Sequence, residues 1–258
     1  MSQFTSALPT GLSPTVRPSD QALPTASVPA HRKRSFFQAT FYKEWIKLRF
    51  YWLLLLVGNT GFAIFLSLRL RNVHQFHDAV SIWSAWIFKG YLFFAPYQYV
   101  PLAAGVVLGA LQFLPETLSK RVRLVLHLPL GEERVIAHHL LVGLLLLTFI
   151  FAPAVALFGL TGWLYFPPEF QRNLVLTLLP WGLAGYVGYL LTATVLLENA
   201  WRFRIAYLLL AAASLRFFYR GEFYDVYQRV WPALALWTGL LFLLPLYASY
   251  RFRKGLGA

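Results

Sequence analysis

His74, His77 and Asp78 stand in an H-x-x-H-D spacing. On a helix this sets two imidazoles one turn apart with a carboxylate beside them, a donor set suited to a transition metal. No further His or Cys falls in the neighbouring outer loops to close a ligand shell. A plain polar loop at the interface accounts for the same residues, and no metal is assigned. His127, His138 and His139 are expected on the other side of the membrane, which leaves a bis-histidine haem without ligands inside the spans. There is no cysteine, so disulfides and thiolate metal sites are excluded, and there is no G-x-x-x-x-G-K-[ST] loop to cradle a nucleotide. No serine, histidine or carboxylate constellation suggests an intramembrane enzyme, and the chain is expected to bind no cofactor of its own. Lys89 is of another kind, since a charge inside an apolar run is costly in lipid and faces a cavity or a partner unless it snorkels outward. Arg216 and Arg220 open an outer segment that mixes aromatics with both signs of charge as far as Arg229. Short helices near a substrate exit and an aromatic interface belt both suit that mixture. Lys89, Arg216 and Arg220 are therefore the candidates for a translocation pathway.

The elements that must position these groups are membrane helices. Six apolar stretches, near 51–70, 87–114, 139–160, 174–197, 205–219 and 230–250, are each bounded by charged or aromatic residues. A hydrocarbon core of roughly 30 Å needs about 20 apolar residues in a helix, so most of them can span unaided. The short fifth stretch has Arg202, Arg204 and Arg216 at its ends, where long side chains reach the headgroups. The chain is 58% hydrophobic and only 13% charged, and the expected fold is an all-α integral membrane protein with six transmembrane helices. Its formal charge of +13 follows topology rather than a nucleic-acid surface. With a cytoplasmic N-terminus, 16 Lys/Arg fall on the cytoplasmic side and six on the other. That bias places both termini in the cytoplasm. Residues 1–30 hold five Pro, five Ser and four Thr with no apolar run, so they read as a disordered cytoplasmic tail without the pattern of a cleaved signal. Pro96 and Pro101 permit a kink in the second span, and Gly105 and Gly109, like Gly182, Gly185 and Gly188 in the fourth, permit close helix contact.

Between tail and first span, Phe37, Phe41, Trp45, Leu48 and Trp52 recur at intervals of three and four, tracing one helical stripe behind the basic Arg32-Lys33-Arg34. Lys43 and Lys47 fall on another face, and Glu44 can pair with Lys47. The pattern predicts a helix lying on the inner leaflet, aromatics in the acyl boundary and lysines toward anionic lipid headgroups. The second informative segment is 115–139. Pro115 is expected in the first turn of a new short helix with Glu116 near its positive end. Leu118, Val122 and Val125 then share a face away from Lys120, Arg121 and Arg123, and Pro129-Leu130-Gly131 stops the helix before Glu132 and Glu133 open the next. Such a basic amphipathic helix between two spans suits docking to a cytosolic partner.

The F-Y-K-E-W-I-K-L-R-F-Y-W run at 41–52 and the loop at 116–134, with its E-T-L and L-H-L-P-L-G-E-E-R pieces, resemble the membrane subunits of type-2 ABC transporters, the exporter-type permeases. Thr117 and Ser119 stand where that family usually has Gly and Thr, and His138 and His139 where a lysine often opens the third span. The resemblance implies an interfacial helix at 31–50 and a six-helix permease domain at 51–258 in the bacterial inner membrane. It also implies pairing with a second copy or a paralogue, and drive by separate ATP-binding cassette subunits that hold the ATP and Mg. Glu116, Leu118, Lys120, Arg121, Val122, Arg123 and Val125 would then couple to the ATPase. A membrane anchor or electron-carrying subunit of a respiratory complex is the alternative, and it requires cofactor ligands inside the spans.

Overall fold

The computed structural model describes residues 36–76, 92–118, 132–166, 168–220 and 226–253 apart from 228. Among these the chain is all-α. Helix α1 (Phe36–Phe76) is followed by a 3₁₀ helix (Ala95–Tyr99), α2 (Val100–Leu118), α3 (Glu132–Tyr165), α4 (Pro168–Leu197), α5 (Trp201–Phe218), α6 (Trp231–Leu241) and α7 (Leu243–Arg253). Five stretches, Phe37–Val73, Ala95–Leu118, Arg134–Tyr165, Gln171–Leu197 and Trp231–Arg251, are long and apolar enough to cross a bilayer. The protein is a multi-pass helical membrane protein. The fifth expected span is the 18-residue α5, whose composition leaves it outside that group of five.

Three boundaries differ from the sequence reading, each for a local reason. The stripe at 36–50 is not a separate helix. It continues without a break into the first span, giving 41 residues and about 60 Å at 1.5 Å per residue. Helical periodicity marks a one-sided face but not what covers it, and here the stripe packs on protein. Leu48 is fully buried, and Phe41, Trp45 and Trp52 lie against the main core. Pro115 sits inside the last turn of α2 rather than opening a new helix, so Glu116 lies near the negative end of the helix dipole instead of the positive one. The last span is two helices that meet at Phe242. Pro245 has no N–H for the Leu241 carbonyl one turn earlier, which explains the break. Pro96 and Pro101 begin helical segments, the first in the 3₁₀ turn and the second in the first turn of α2. Among the described residues both prolines stand at helix starts and not in the middle of a helix.

Helices α1 and α3 run parallel with a register that can be followed along both. Trp52 Nε1 donates to the Leu146 carbonyl at 3.0 Å, Asn59 Nδ2 to the Ile150 carbonyl at 2.7 Å, and Thr161 Oγ1 to Ser67 Oγ at 3.0 Å. In lipid no hydrophobic force pulls helices together, so such bonds and close backbone approach must do it. The close approach is between α2 and α4. A Cβ on Gly185 would lie 2.7 Å from the Pro101 carbonyl oxygen and 2.7 Å from the Phe151 ring, a distance no side chain tolerates. Gly185 and Gly188 of the fourth span therefore form a contact face with α2, whereas Gly182 has open space around it. At the end of the bundle near the 3₁₀ turn, Phe94, Tyr97, Phe158 and Trp181 form an aromatic knot, with Tyr97 and Phe158 centroids 5.0 Å apart.

Candidate functional site

At the opposite end, the start of α1, the last turns of α2 and the start of α3 converge on a polar cluster. Glu44 lies one turn before Leu48 on the buried side of α1, and its side chain is 0% exposed. A buried carboxylate is expensive unless paired, and the partners come from all three helices. Lys47 Nζ is 3.1 Å from Glu44 Oε2 and 3.2 Å from Glu116 Oε1. It also donates to the Gln112 carbonyl at 2.7 Å. Lys43 Nζ reaches Glu116 Oε1 at 3.0 Å and stands 3.8 Å from Glu44. His139 Nε2 is 3.6 Å from Glu44 Oε1.

Behind the charges lies a neutral layer. Gln112, fully buried, donates from Nε2 to the His139 carbonyl at 2.9 Å and accepts at Oε1 from the Tyr189 hydroxyl at 2.8 Å. Gly143 makes room for this arrangement, since a Cβ there would meet Gln112 Oε1 at 2.5 Å. Helix α4 thus joins the cluster through Tyr189. The two carboxylates and two ammonium groups balance in charge. They offset the unfavourable position of Glu116 at the C-terminal end of α2, where a carboxylate faces unpaired carbonyls.

A second charged pair sits at the C-terminal ends of α4 and α7. Arg251 Nη1 lies 3.4 Å from Glu198 Oε2, and its guanidinium stacks over Phe203 at 3.5 Å. Glu198 Oε1 accepts from the Ala200 backbone N–H at 3.2 Å, and its carbonyl accepts from Arg204 Nε at 2.7 Å. The group tethers the start of α5 and offers no free donor set.

Of the residues singled out from sequence, Lys43, Glu44, Lys47 and Glu116 come together in the cluster, with the Glu44–Lys47 pair among its contacts. Phe37 lies 6.0 Å from the His138 ring, Phe41 stacks on Trp45, and Trp45 tilts against Trp52 at 5.2 Å. Leu118 is exposed at the end of α2. Lys120, Arg121, Val122, Arg123 and Val125 lie outside the described residues, as do Lys89, His77, Asp78 and the side chain of His74. Arg216 and Arg220 are exposed at the aromatic end. Between them Tyr219 donates to the Gln98 carbonyl at 3.1 Å. The sequence reading did not single out Gln112 or Tyr189, and it put His139 among the cytoplasmic histidines without a role. Helix α3 begins at Glu132, so His139 falls in its second turn and is buried rather than at the mouth of a span. Gln112 did carry a signal, as a lone amide within an apolar run. No family model, curated protein or solved structure matches the chain.

Proposed function

We propose that this chain is the permease subunit of a type-2 ABC exporter. It works as a dimer with a second copy or a paralogue, is driven by separate ATP-hydrolysing subunits, and sits in a bacterial inner membrane with both termini cytoplasmic. The observation that carries the proposal is the meeting of the two segments on which the resemblance rests. Residues 41–52 and 116–134 are far apart in sequence, yet Glu116 is held by Lys43 at 3.0 Å and by Lys47 at 3.2 Å. A load applied just beyond Leu118 therefore reaches α1 directly through charge-assisted contacts, which are stronger than neutral ones. It reaches α3 as well through the loop that ends at Glu132. A subunit moved by ATP hydrolysis elsewhere needs such a point of purchase, because two packed arrangements of helices are switched by displacing a rigid element.

In this reading the basic residues Lys120, Arg121 and Arg123 meet acidic groups on the partner, and Leu118, Val122 and Val125 add apolar contact. Reversing charge in an R121E/R123E double variant is expected to weaken co-purification of the ATPase or to uncouple hydrolysis from transport, while the permease still inserts and folds. A double variant that assembles with its ATPase and transports at the wild-type rate would overturn this reading.

A further inference from the structure

We propose that Glu44, Glu116 and His139 form a binding site for one divalent transition-metal ion, which exchanges with the Lys47 ammonium. His139 Nδ1 lies 2.8 Å from the Val135 carbonyl, an acceptor only, so Nδ1 carries the hydrogen. In the deprotonated form that metal ligation requires, the ring directs a lone pair from Nε2 into the cluster. The residue is 7% exposed, and Nε2 has no hydrogen-bond partner among the described residues. Its nearest charged neighbour is a carboxylate oxygen, Glu44 Oε1 at 3.6 Å. Nε2 and Glu44 Oε1 face each other out of contact with water and suit a shared cation, and Lys47 Nζ at 3.4 Å from that oxygen already brings positive charge to it. A histidine fixed through Nδ1–H to a backbone carbonyl is also the arrangement that orients imidazole ligands on metals.

The spacing fits. One ligand atom from each of Glu44, Glu116 and His139 lies within 4.8 Å of the others. Bonds of about 2.0–2.2 Å to an ion at their centre need only a small inward movement. Imidazole with two carboxylates favours zinc, manganese or iron over magnesium and calcium, which prefer oxygen alone. The apparent obstacle is Lys47, and it supports the proposal on inspection. Its ammonium already bridges both carboxylates, so the position is one where a positive charge is held. Its side chain is 25% exposed on a flexible stem, and Lys43 is 53% exposed. Both can withdraw to water when a stronger cation arrives. The ion would join α1, α2 and α3 at one point, in place of ion pairs that bend and exchange. This inference is independent of the transporter reading.

The test uses the full chain, purified in detergent, stripped with a chelator and titrated with zinc chloride by calorimetry. One zinc per chain is expected. Loss of a ligand in E44Q or H139Q should weaken it more than roughly 100-fold, beyond what loss of a supporting group costs. The H74A/H77A variant should bind as wild type does. Because K47M keeps all three ligands and removes the competitor, it should bind zinc roughly fivefold tighter or more, and zinc should raise its melting temperature further than that of wild type. Absence of binding would overturn the proposal. So would binding unchanged in H139Q, which marks an adventitious ion only, or weaker binding in K47M.

Discussion

Removing Lys47 should harm this protein more than removing the carboxylate it pairs with, and the asymmetry follows from burial. Glu44 is 0% exposed, whereas Lys47 is 25% exposed. In K47M the carboxylate stays in the protein interior with only Lys43 at 3.8 Å and the His139 ring for company. Stranding a buried charge costs about 3–5 kcal/mol, and the remaining neighbours reduce this to about 2–3 kcal/mol. In E44Q the ammonium keeps Glu116 at 3.2 Å, the Gln112 carbonyl at 2.7 Å and a path to water. Its cost is that of a partly exposed pair, about 1 kcal/mol or less. For a chain of this size about 2–4 °C of melting temperature corresponds to each kcal/mol, so K47M should melt about 5–10 °C below wild type and E44Q within a few degrees of it. The double variant E44Q/K47M should recover much of the K47M loss, because no charge is left stranded. Thermal unfolding in detergent with chelator present, on all four proteins, measures the cycle. If E44Q is the more damaging single change, or if the two effects add, Glu44 is not the buried end of this network.

Two further outcomes test the fold. Gly182 and Gly185 belong to one sequence pattern but differ in surroundings, with open space around a Cβ at the first and a carbonyl at 2.7 Å at the second. Gly185→Ala should cost about 1–3 kcal/mol of stability and Gly182→Ala about 0.5 kcal/mol or less, and equal effects in the same unfolding assay would rule out the α2–α4 contact. Reporter fusions after Asn72 and Arg220 should report the side opposite to fusions after Asn199 and Lys254, the latter being cytoplasmic in the orientation proposed. A cytoplasmic signal from Asn72 contradicts it.

The span positions were legible because apolar length is a local property, and 139–160 or 174–197 need no partner to be recognised as membrane segments. Helix partners were another matter. The spacing of Phe37, Phe41, Trp45 and Leu48 requires a covered face, and lipid or a neighbouring helix satisfies that requirement equally. Only the parallel register of α1 on α3, fixed by Trp52 and Asn59 against the Leu146 and Ile150 carbonyls, decides for protein. Gly105 and Gly185 were visible as small residues at helical intervals, yet their pairing depends on which faces of two helices turn inward. The polar cluster was the least legible part. Glu44 and Lys47 are a turn apart and could be paired from sequence, but His139 is 95 residues further along than Glu44, and its Nε2 acquires meaning only through the Val135 carbonyl on its other side.

The distribution of polar groups also limits which parts of the molecule can move together. At the aromatic end Tyr97 donates to Asn59 at 2.8 Å, and Asn59 donates onward to α3, a neutral and directional set of bonds that cannot rearrange without leaving a buried amide unsatisfied at about 1–3 kcal/mol. At the other end the contacts are ionic, made by lysines with long stems, and tolerate changes of angle and distance with little loss. A displacement of the chain beyond Leu118 would therefore be passed to the start of α1 by the Lys43, Lys47 and Glu116 contacts, which adjust in angle without breaking, while the Asn59 layer holds. Helices α1 and α3 would pivot about that layer rather than slide past each other. The same difference in stiffness makes the ionic end the one whose response a bound cation could change.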